Sequence, residues 1–426
     1  MSRPLSSQPR LLLWIDRYAG VPCCWLFTWL RRLTGGLRFS ENVQPVRRIL
    51  FVKLAEQGST VLAHDALAEA VRRVGRSNVY FAAFKENRFI LDILAVLPRE
   101  NVLTVDSTSP ITLIHTGWQM LGRARGLRFD AVIDMEFFAR FSALLSYLIG
   151  ARERVGFHTY FGEGPYRGDL LTHRVLYNPH LHTSETFLSL VHALDVPPAA
   201  FPTFDFRAPP PLPLPSFKPE PGEVGPVREV IRSLAGPNEG PVVLLNANCS
   251  DMLPLRRWSD DNYVALARLL VASDPDLIVG FTGSPDEAPR VNQLIAAVGS
   301  PRAVSFAGRT SLRELLVLYG LAELLITNDS GPAHFAALTS IDVISLFGPE
   351  TPLLFAAHGP RSHPLWANIA CSPCVNAFNS RQSACRNNVC MQRLSVERVF
   401  TKAAEILVAR ERTPKAIPVA ERASAT

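Results

Sequence analysis

The chain has 426 residues, of which 47% are hydrophobic and 19% are charged, and it carries a formal net charge of +6. These values exclude a disordered or highly charged chain, and the length suffices for two domains with hydrophobic cores. The positive charge favours anionic partners such as nucleotides, phosphorylated glycans or an acidic membrane surface. The sequence contains no motif of the common nucleic-acid-binding domains, so nucleic acid is not an expected partner.

Residues 1–45 contain two short apolar runs, separated by Asp16-Arg17 and closed by Arg31-Arg32. Both runs are shorter than the roughly 20 apolar residues that cross a bilayer, and no signal-peptidase site follows them. Tryptophan beside arginine is typical of segments that lie in the membrane interface. We therefore expect residues 1–45 to be an amphipathic, membrane-associating segment. The alternative is a helix that packs on the protein's own core.

After this segment, apolar strand-like runs alternate with amphipathic helical patterns. This alternation predicts a parallel, doubly wound sheet, and a proline-rich linker interrupts it once before it restarts. The fold class is therefore α/β, with two Rossmann-like domains facing across a cleft where ligands bind at strand ends. The predicted parts are an N-terminal domain (46–205), a linker (206–226), a C-terminal domain (227–394), a last helix (395–412) and a disordered tail (413–426).

The clearest candidate binding site is ITNDSGPAHFAALTSIDVISLFGPETP, from Ile326 to Pro352. Here a buried strand ends at Asp329 and a helix opens at Gly331. The backbone N–H groups of Ser330 and Gly331 suit an anion such as a diphosphate, and His334 lies one turn into the helix on the same side. The alternative is a capped helix without a ligand, with Asp329 or Ser330 as the N-cap residue.

This stretch resembles glycosyltransferase family 9, the heptosyltransferase family of GT-B fold. The resemblance extends from about Arg47 to Val399. Further matching segments are the strand-loop-helix that begins at Ile49, the Asp-x-x-x-Asp strand (129–135), Arg-Val-Gly-Phe (154–157), Arg256-Arg257-Trp258 in place of Lys-x-Trp, and the Thr-Gly loop (281–284).

The resemblance implies inverting transfer of a heptose or hexose from a nucleoside-diphosphate sugar to a lipid-linked or lipopolysaccharide-core-like acceptor. It implies no metal requirement, and a peripheral position on the cytoplasmic face of a bacterial inner membrane. In the donor domain, Ser330 and Gly331 would hold the diphosphate, Asp329 would contact the sugar and His334 would lie near the phosphate. Arg256 would replace the family's phosphate-binding lysine with its charge retained. Glu287 is the candidate for the nucleoside ribose.

The acceptor hydroxyl needs a general base, and here the sequence departs from the family. Relatives have a Gly-Asp pair in the first loop, whereas Gly58 is followed by Ser59, whose hydroxyl is no base near neutral pH. Glu56, on the same loop, is our candidate for the base. Asp65 and Glu185 are the alternatives.

Two other functions remain as weaker hypotheses. Without an effective base, the chain would be a catalytically degenerate nucleotide-sugar-binding protein. An NAD(P) dehydrogenase is less consistent with the sequence, because no Gly-x-Gly-x-x-Gly follows the first predicted strand.

The acceptor-side candidates are Gly58, Ser59, Arg154 and His182. Arg152, Arg154 and Arg167 are further expected to attract acceptor phosphates. His182 belongs to a polar cluster that precedes a helix, and the alternative for this cluster is helix capping by Thr183 or Ser184.

Four cysteines follow the donor motif with the spacing Cys-x2-Cys-x10-Cys-x4-Cys: Cys371, Cys374, Cys385 and Cys390, in a Cys-rich segment of residues 371–390. This spacing suits a structural zinc ion with four thiolate ligands. Two disulfides are disfavoured, because nothing in the sequence indicates export to an oxidising compartment. Cys23 and Cys24 are candidates for palmitoylation.

Overall fold

The computed structural model describes residues 9–34, 40–249 and 253–411. The chain divides into two compact units, one formed by residues 1–212 and 375–383 and the other by residues 213–374 and 384–426. The predicted disordered tail at 413–426 lies outside the described residues.

The first unit contains a six-stranded parallel sheet. Its strands are β1 (Ile49–Val52), β2 (Val79–Phe84), β3 (Val102–Val105), β4 (Ala131–Asp134), β5 (Glu153–His158) and β6 (His173–Leu176). The strand order is β3-β2-β1-β4-β5-β6, with every pair parallel. The order therefore reverses between β1 and β4, where doubly wound sheets place their ligands.

Helices cover both faces of this sheet. They are α1 (Pro9–Tyr18), α2 (Gly20–Leu33), α3 (Gln57–Leu62), α4 (His64–Val74), α5 (Arg88–Leu94), α6 (Pro110–Leu127), α7 (Arg140–Ile149) and α8 (Thr183–His192). Alternate residues of β1 belong to opposite cores, since Ile49 and Phe51 join one cluster while Leu50 and Val52 join the other. Burial on both faces explains why such strands appear in the sequence as continuous apolar runs.

The second unit repeats this topology. Its strands are β7 (Val242–Asn246), β8 (Ile278–Phe281), β9 (Ala303–Ser305), β10 (Leu324–Asn328), β11 (Asp342–Phe347) and β12 (Ser362–Trp366), in the order β12-β11-β10-β7-β8-β9. Its helices are α9 (Val224–Ala235), α10 (Asp260–Ser273), α11 (Ala288–Val298), α12 (Leu312–Leu321), α13 (Gly331–Ala336), α14 (Pro352–Phe355), α15 (Val389–Gln392) and α16 (Val396–Glu411). Here the order reverses between β7 and β10.

The predicted fold class is confirmed, because both sheets are parallel and doubly wound. Two boundaries differ from the sequence analysis. Helix α9 begins at Val224, inside the predicted linker, because Val227 is buried on the unit it joins. Residues 375–383, which the sequence analysis placed in the second domain, belong to the first unit.

Candidate functional site

A buried asparagine joins three segments at the point where the second sheet reverses its strand order. Asn328, at the end of β10, accepts a hydrogen bond from the backbone N–H of Trp258 (2.9 Å). Its amide nitrogen donates to the carbonyl oxygens of Ala247 (3.3 Å) and Asn248 (3.1 Å), which follow β7. The indole of Trp258 is fully buried and donates to Leu394. Trp258 therefore anchors the segment that carries Arg256.

Arg256 lies at this reversal point between two buried carboxylates. Its guanidinium nitrogen is 3.2 Å from a carboxylate oxygen of Glu350 and 3.6 Å from one of Asp329. The arginine side chain is 12% exposed, whereas the two carboxylates are almost fully buried. Sequence reasoning missed Glu350. Its signal was its position directly after Phe-Gly-Pro, at the end of the strand that neighbours β10.

Ser330 and Gly331 form the turn into α13. Ser330 is the N-cap residue of α13, and its hydroxyl donates to the carbonyl of Asn328 (3.0 Å). A methyl group added at Gly331 would meet only Phe335, at an ordinary contact distance of 3.5 Å. The protein's own packing therefore does not require glycine here. His334 lies on α13 and is 7% exposed.

The Thr-Gly loop after β8 is held against the same reversal point. The amide of Asn248 donates to the carbonyl of Thr282 (3.1 Å). A Cβ atom at Gly283 would lie 2.7 Å from that amide, so a larger residue would displace it from Thr282. Glu287 accepts a hydrogen bond from the N–H of Ser284 (2.7 Å) and forms a capping box with it. This contact gives the carboxylate of Glu287 a role in the loop itself.

In the first unit, a buried lysine and a glutamate connect the strand ends on either side of the reversal point. Lys53, which follows β1, is fully buried, and its ammonium is 3.1 Å from a carboxylate oxygen of Glu136, which follows β4. The other oxygen of Glu136 accepts the N–H groups of Leu54 (2.7 Å) and Ala55 (3.1 Å). These contacts fix the backbone that leads directly into Glu56.

Glu56 is held by two cations. One carboxylate oxygen is 3.5 Å from the ammonium of Lys53 and 3.3 Å from the hydroxyl of Ser59, and the other is bonded to the guanidinium of Arg381. The backbone of Glu56 has φ +67°, a left-handed conformation that is uncommon for glutamate. Strained conformations of this kind cluster at functional sites. Sequence reasoning missed Lys53, Glu136 and Arg381.

The other first-loop candidates lie close by. Gly58 and Ser59 are buried within α3, and the Ser59 hydroxyl donates to the carbonyl of Glu56 (2.9 Å). Asp65 is buried on α4 and contacts the ring of His64 (3.2 Å). The structure thus brings Glu56 and Ser59 together.

The arginines expected to attract acceptor phosphates have other partners. Arg167 is 1% exposed and bonded to the buried Asp134, so the expectation for Arg167 is wrong. Arg154 donates to the carbonyls of Leu170 (2.7 Å) and Ala151 (2.6 Å), and burial lowers its pKa to about 10. Both guanidinium groups bind within the domain. Arg152 is half exposed, and it pairs with Glu153 (3.0 Å) and donates to the carbonyl of Pro45 (2.9 Å).

His182 is the N-cap residue of α8. Its ring nitrogen accepts from the N–H of Ser184 (3.3 Å), and Glu185 reaches back to the N–H of His182 (3.3 Å). The predicted cap exists, but the residues predicted for it, Thr183 or Ser184, are wrong, because the N-cap residue is His182. An acceptor-side role for His182 stays a prediction.

The structure does not support the zinc hypothesis. Among the described residues, no three or more His, Cys, Asp or Glu side chains are arranged to hold a metal ion. Cys371 and Cys385 are exposed, whereas Cys390 lies in the hydrophobic core beneath Gly348. Cys24 is fully buried and burial raises its pKa to about 11, so the expectation that Cys24 accepts a palmitate is also wrong.

Comparison with curated proteins finds lipopolysaccharide heptosyltransferases. Heptosyltransferase 2 of Salmonella typhimurium is 29% identical over 102 residues, and that of Escherichia coli is 30% identical over 102 residues. Each match covers 23% of this chain and 29% of the relative. A Campylobacter jejuni lipooligosaccharide heptosyltransferase 2 is 26% identical over 160 residues, which cover 47% of its length. The chain thus matches less than half the length of these relatives.

Solved structures show the same fold. The E. coli ADP-heptose lipopolysaccharide heptosyltransferase II has a TM-score of 0.64 and 18% identity, with 85% of this chain and 99% of that chain covered. A glycosyltransferase family 9 protein of Veillonella parvula has a TM-score of 0.66 and 16% identity, with 86% and 100% covered. The family model for glycosyltransferase family 9 (heptosyltransferase) matches residues 118–384, more than half of the chain. Because this match covers more than half of its length, the chain belongs to glycosyltransferase family 9.

Proposed function

We propose that the protein is an inverting glycosyltransferase. It moves a heptose, or a hexose, from a nucleoside-diphosphate donor to a lipid-linked or lipopolysaccharide-core-like acceptor. The observation that carries this proposal is the position of Arg256 beside the Ser330-Gly331 turn, where the second sheet reverses its strand order. The donor we favour is ADP-heptose, because the solved E. coli heptosyltransferase II is named for ADP-heptose and another E. coli heptosyltransferase was solved with ADP.

The donor half would stabilise the leaving group. Negative charge develops on the nucleoside diphosphate as the bond to the anomeric carbon breaks. The guanidinium of Arg256 and the N–H groups at the start of α13 would stabilise that charge, a role that a divalent ion fills in other transferases. A bound diphosphate would compete with Glu350 for Arg256, since the ion pair in the free protein occupies the same guanidinium.

The acceptor half would supply the base. Glu56 would take the proton from the acceptor hydroxyl as its oxygen attacks the anomeric carbon and the nucleoside diphosphate leaves from the opposite face. That order of bond making and breaking inverts the anomeric configuration. Lys53 and Arg381, which contact the carboxylate of Glu56, would orient it toward the acceptor hydroxyl.

We also infer a position on the cytoplasmic face of a bacterial inner membrane. Nucleotide sugars are cytoplasmic, whereas a lipid-linked acceptor is held at the bilayer, so the two substrates meet at that surface. Peripheral attachment would require contact with lipid but no membrane-spanning helix.

Ligand binding to the donor half can be tested first. Thermal unfolding of the purified chain is measured with ADP, UDP, GDP, CDP, dTDP or NAD, each with and without a chelator. A nucleotide present at about 100 times its dissociation constant adds roughly 2.7 kcal/mol of apparent stability. We expect ADP to exceed the others and the chelator to have no effect. A flat panel, or a response to NAD alone, would overturn the donor assignment.

Transfer is then measured with ADP-heptose and a heptose-deficient lipopolysaccharide acceptor. Glycosylated product together with released ADP supports the proposal. ADP binding without turnover on any acceptor would favour the alternative, a catalytically degenerate nucleotide-sugar-binding protein in which Ser59 stands where relatives have the base.

A further inference from the structure

The N-terminal helices α1 and α2 are attached to the first unit by hydrogen bonds and ion pairs. The buried residues of α2 are Gly20, Cys24, Thr28 and Arg31, which recur every three or four positions and form one stripe. Arg31 pairs with the carboxylate of Asp169 (3.0 Å), and the hydroxyl of Thr28 accepts the N–H of Asp169 (2.8 Å). This side of α2 is therefore held by hydrogen bonds and an ion pair.

The acidic residue of α1 also faces the protein. Asp16 accepts the N–H groups of Arg140 (2.8 Å) and Phe141 (2.9 Å) at the start of α7, and it pairs with the guanidinium of Arg140 (3.0 Å). The backbone at Gly168 is shaped to receive α2, because a Cβ atom there would lie 2.7 Å from the hydroxyl oxygen of Thr28. The two helices thus occupy a defined position on the domain.

The opposite side of the two helices is apolar and faces outward. The exposed fractions of its aromatic side chains are 60% at Trp14, 59% at Tyr18, 63% at Trp25 and 50% at Trp29. Leu26 and Leu33 extend the same side of α2 and are 45% and 63% exposed. Helices of water-soluble domains normally present the reverse arrangement, with the apolar stripe inward. One side of α2 thus packs on the domain, as the alternative expects, while the apolar side that would suit a membrane interface stays exposed.

The charges around this outward face are positive. Arg17 and Arg32 are exposed beside it, whereas Asp16, the acid within α1 and α2, is tied to Arg140. Tryptophan and tyrosine prefer the boundary between lipid headgroups and acyl chains, and arginine binds lipid phosphates there. Within the described parts of the chain, no helix combines the length and apolar character that crossing a bilayer demands. The helices have 10 and 14 residues, which suits an orientation in the plane of the interface.

We propose that the outward face of α1 and α2 binds the surface of an anionic bilayer. The residues that define this face are Trp14, Tyr18, Trp25, Leu26, Trp29 and Leu33, with Arg17 and Arg32 at its edge. The aromatic rings enter the interface and the two arginines contact lipid phosphates. The choice of the cytoplasmic leaflet rests on the proposed function, whereas lipid binding itself rests on the exposed face.

The test is sedimentation of the full chain with vesicles of phosphatidylcholine, with and without phosphatidylglycerol. We expect binding to the anionic vesicles and quenching of tryptophan fluorescence by brominated lipid. The Trp25→Ser/Trp29→Ser pair removes two interfacial side chains and should weaken partitioning by about tenfold or more. The matched control is Trp118→Ser, which is 66% exposed and belongs to α6 rather than to α1 or α2, so it should bind as the wild type does.

A second pair of substitutions separates charge from apolar contact. Arg17→Gln/Arg32→Gln should weaken binding to phosphatidylglycerol vesicles by about tenfold and reduce its dependence on salt. The proposal would be overturned if the wild-type chain did not bind the anionic vesicles. It would also be overturned if Trp118→Ser lost as much vesicle binding as the Trp25→Ser/Trp29→Ser pair. Light scattering that shows the tryptophan pair converting a dimer to a monomer, without any change in vesicle binding, would also overturn it and assign the face to a second copy.

These results are independent of catalysis. ADP binding and transfer to a detergent-dispersed acceptor are measured on the same variants. Loss of vesicle binding with ADP binding retained supports the membrane face. Vesicle binding by a wild-type chain that binds no nucleotide would refute the proposed function and leave the membrane face standing.

Discussion

Arg381 is bonded to the carboxylate of Glu56, a residue 325 positions earlier in the chain. The guanidinium also lies over the ring of Phe137, 5.9 Å from its centroid. The segment that carries Arg381 is anchored by Phe378, whose ring packs edge-on against Tyr177 at 5.2 Å. Residues 375–383 belong to the first unit, and they bring the guanidinium of Arg381 into contact with the carboxylate of Glu56, the proposed base.

If Glu56 is the base, Glu56→Gln should lower the rate of heptose transfer by at least about 100-fold, because general-base catalysis typically contributes that much. The amide keeps the size of the side chain and its contact with Ser59. ADP binding, measured by calorimetry, should be unchanged, since the donor residues lie in the other unit. If Glu56→Gln transferred heptose at the wild-type rate, the base would instead be Asp65 or Glu185.

Arg381 acts through Glu56 and should therefore change the pH profile as well as the rate. Without the guanidinium, the carboxylate of Glu56 is less stabilised, so the acid limb of kcat should move to higher pH in Arg381→Met. Arg381→Lys keeps a positive charge and should restore part of the activity. Arg386→Met, at an exposed position a few residues after this segment, is the control. A loss of kcat in Arg381→Met with the pH profile unmoved would indicate a structural role alone.

At the donor site, Arg256→Gln and Glu350→Gln should change ADP affinity in opposite directions. Loss of the guanidinium removes a charge-assisted contact to the diphosphate, which typically contributes 1.5–3 kcal/mol, or roughly ten- to hundredfold in affinity. Glu350→Gln removes the carboxylate that pairs with Arg256 and should strengthen binding severalfold. Arg256→Lys should lie between Arg256→Gln and the wild type.

Calorimetric titration with ADP checks these expectations. If Arg256→Gln bound ADP with wild-type affinity, Arg256 would not be part of the donor site. Weaker binding in Glu350→Gln would show that Glu350 positions the arginine rather than competing with the ligand.

The sequence predicts the fold well because its signals are local. Strands buried on both faces, such as β1 and β10, appear as unbroken apolar runs, and helical periodicity separates them. The unbroken apolar run of β10 likewise predicts that the motif from Asp329 to Gly331 follows the end of a strand. These elements need no information from distant parts of the chain.

The contacts at the two candidate sites are a different matter, because they join distant residues. Nothing near Glu56 in the sequence indicates Arg381, and nothing near Arg256 indicates that Glu350 would pair with it. Composition showed that residues 9–34 are aromatic and basic, but it did not show which side of α2 faces the protein. That side depends on Asp169, which is far from α2 in the sequence.

His173 should make the stability of the first unit depend on pH. It lies on β6 and is 2% exposed, and burial lowers its pKa to about 4. The ordinary value near 6.5 applies to the unfolded chain, which therefore binds more protons than the folded chain between about pH 4 and 6.5. The free energy of unfolding therefore keeps its full value above about pH 6.5. It falls by up to about 3 kcal/mol as the pH drops through this window.

Urea unfolding of the wild type and of His173→Gln at several pH values tests this. The difference between their free energies of unfolding should be constant above pH 7 and shrink toward pH 4.5, since glutamine does not titrate. If that difference stayed constant over the whole pH range, protonation of His173 would not contribute to the loss of stability at low pH.

Two glycine substitutions should separate packing from helix propensity in the second unit. At Gly280, on β8, a Cβ atom would lie 2.4 Å from the ring of Phe306, which is 1% exposed. Gly280→Ala should therefore cost about 1–3 kcal/mol of unfolding free energy. At Gly320, on α12, a Cβ atom meets nothing within 4 Å, so Gly320→Ala should be neutral or stabilise by up to about 1 kcal/mol.

Both changes add one methyl group, so they restrict the unfolded chain equally, and the difference between them in urea unfolding reports the folded state. Gly280 also precedes the loop of Thr282 and Gly283, which is held by the amide of Asn248 beside the proposed diphosphate site. A shift of β8 away from Phe306 should therefore weaken ADP binding as well as stability. Equal stability of the two variants would mean that Phe306 yields to the added methyl group, and ADP affinity should then be retained.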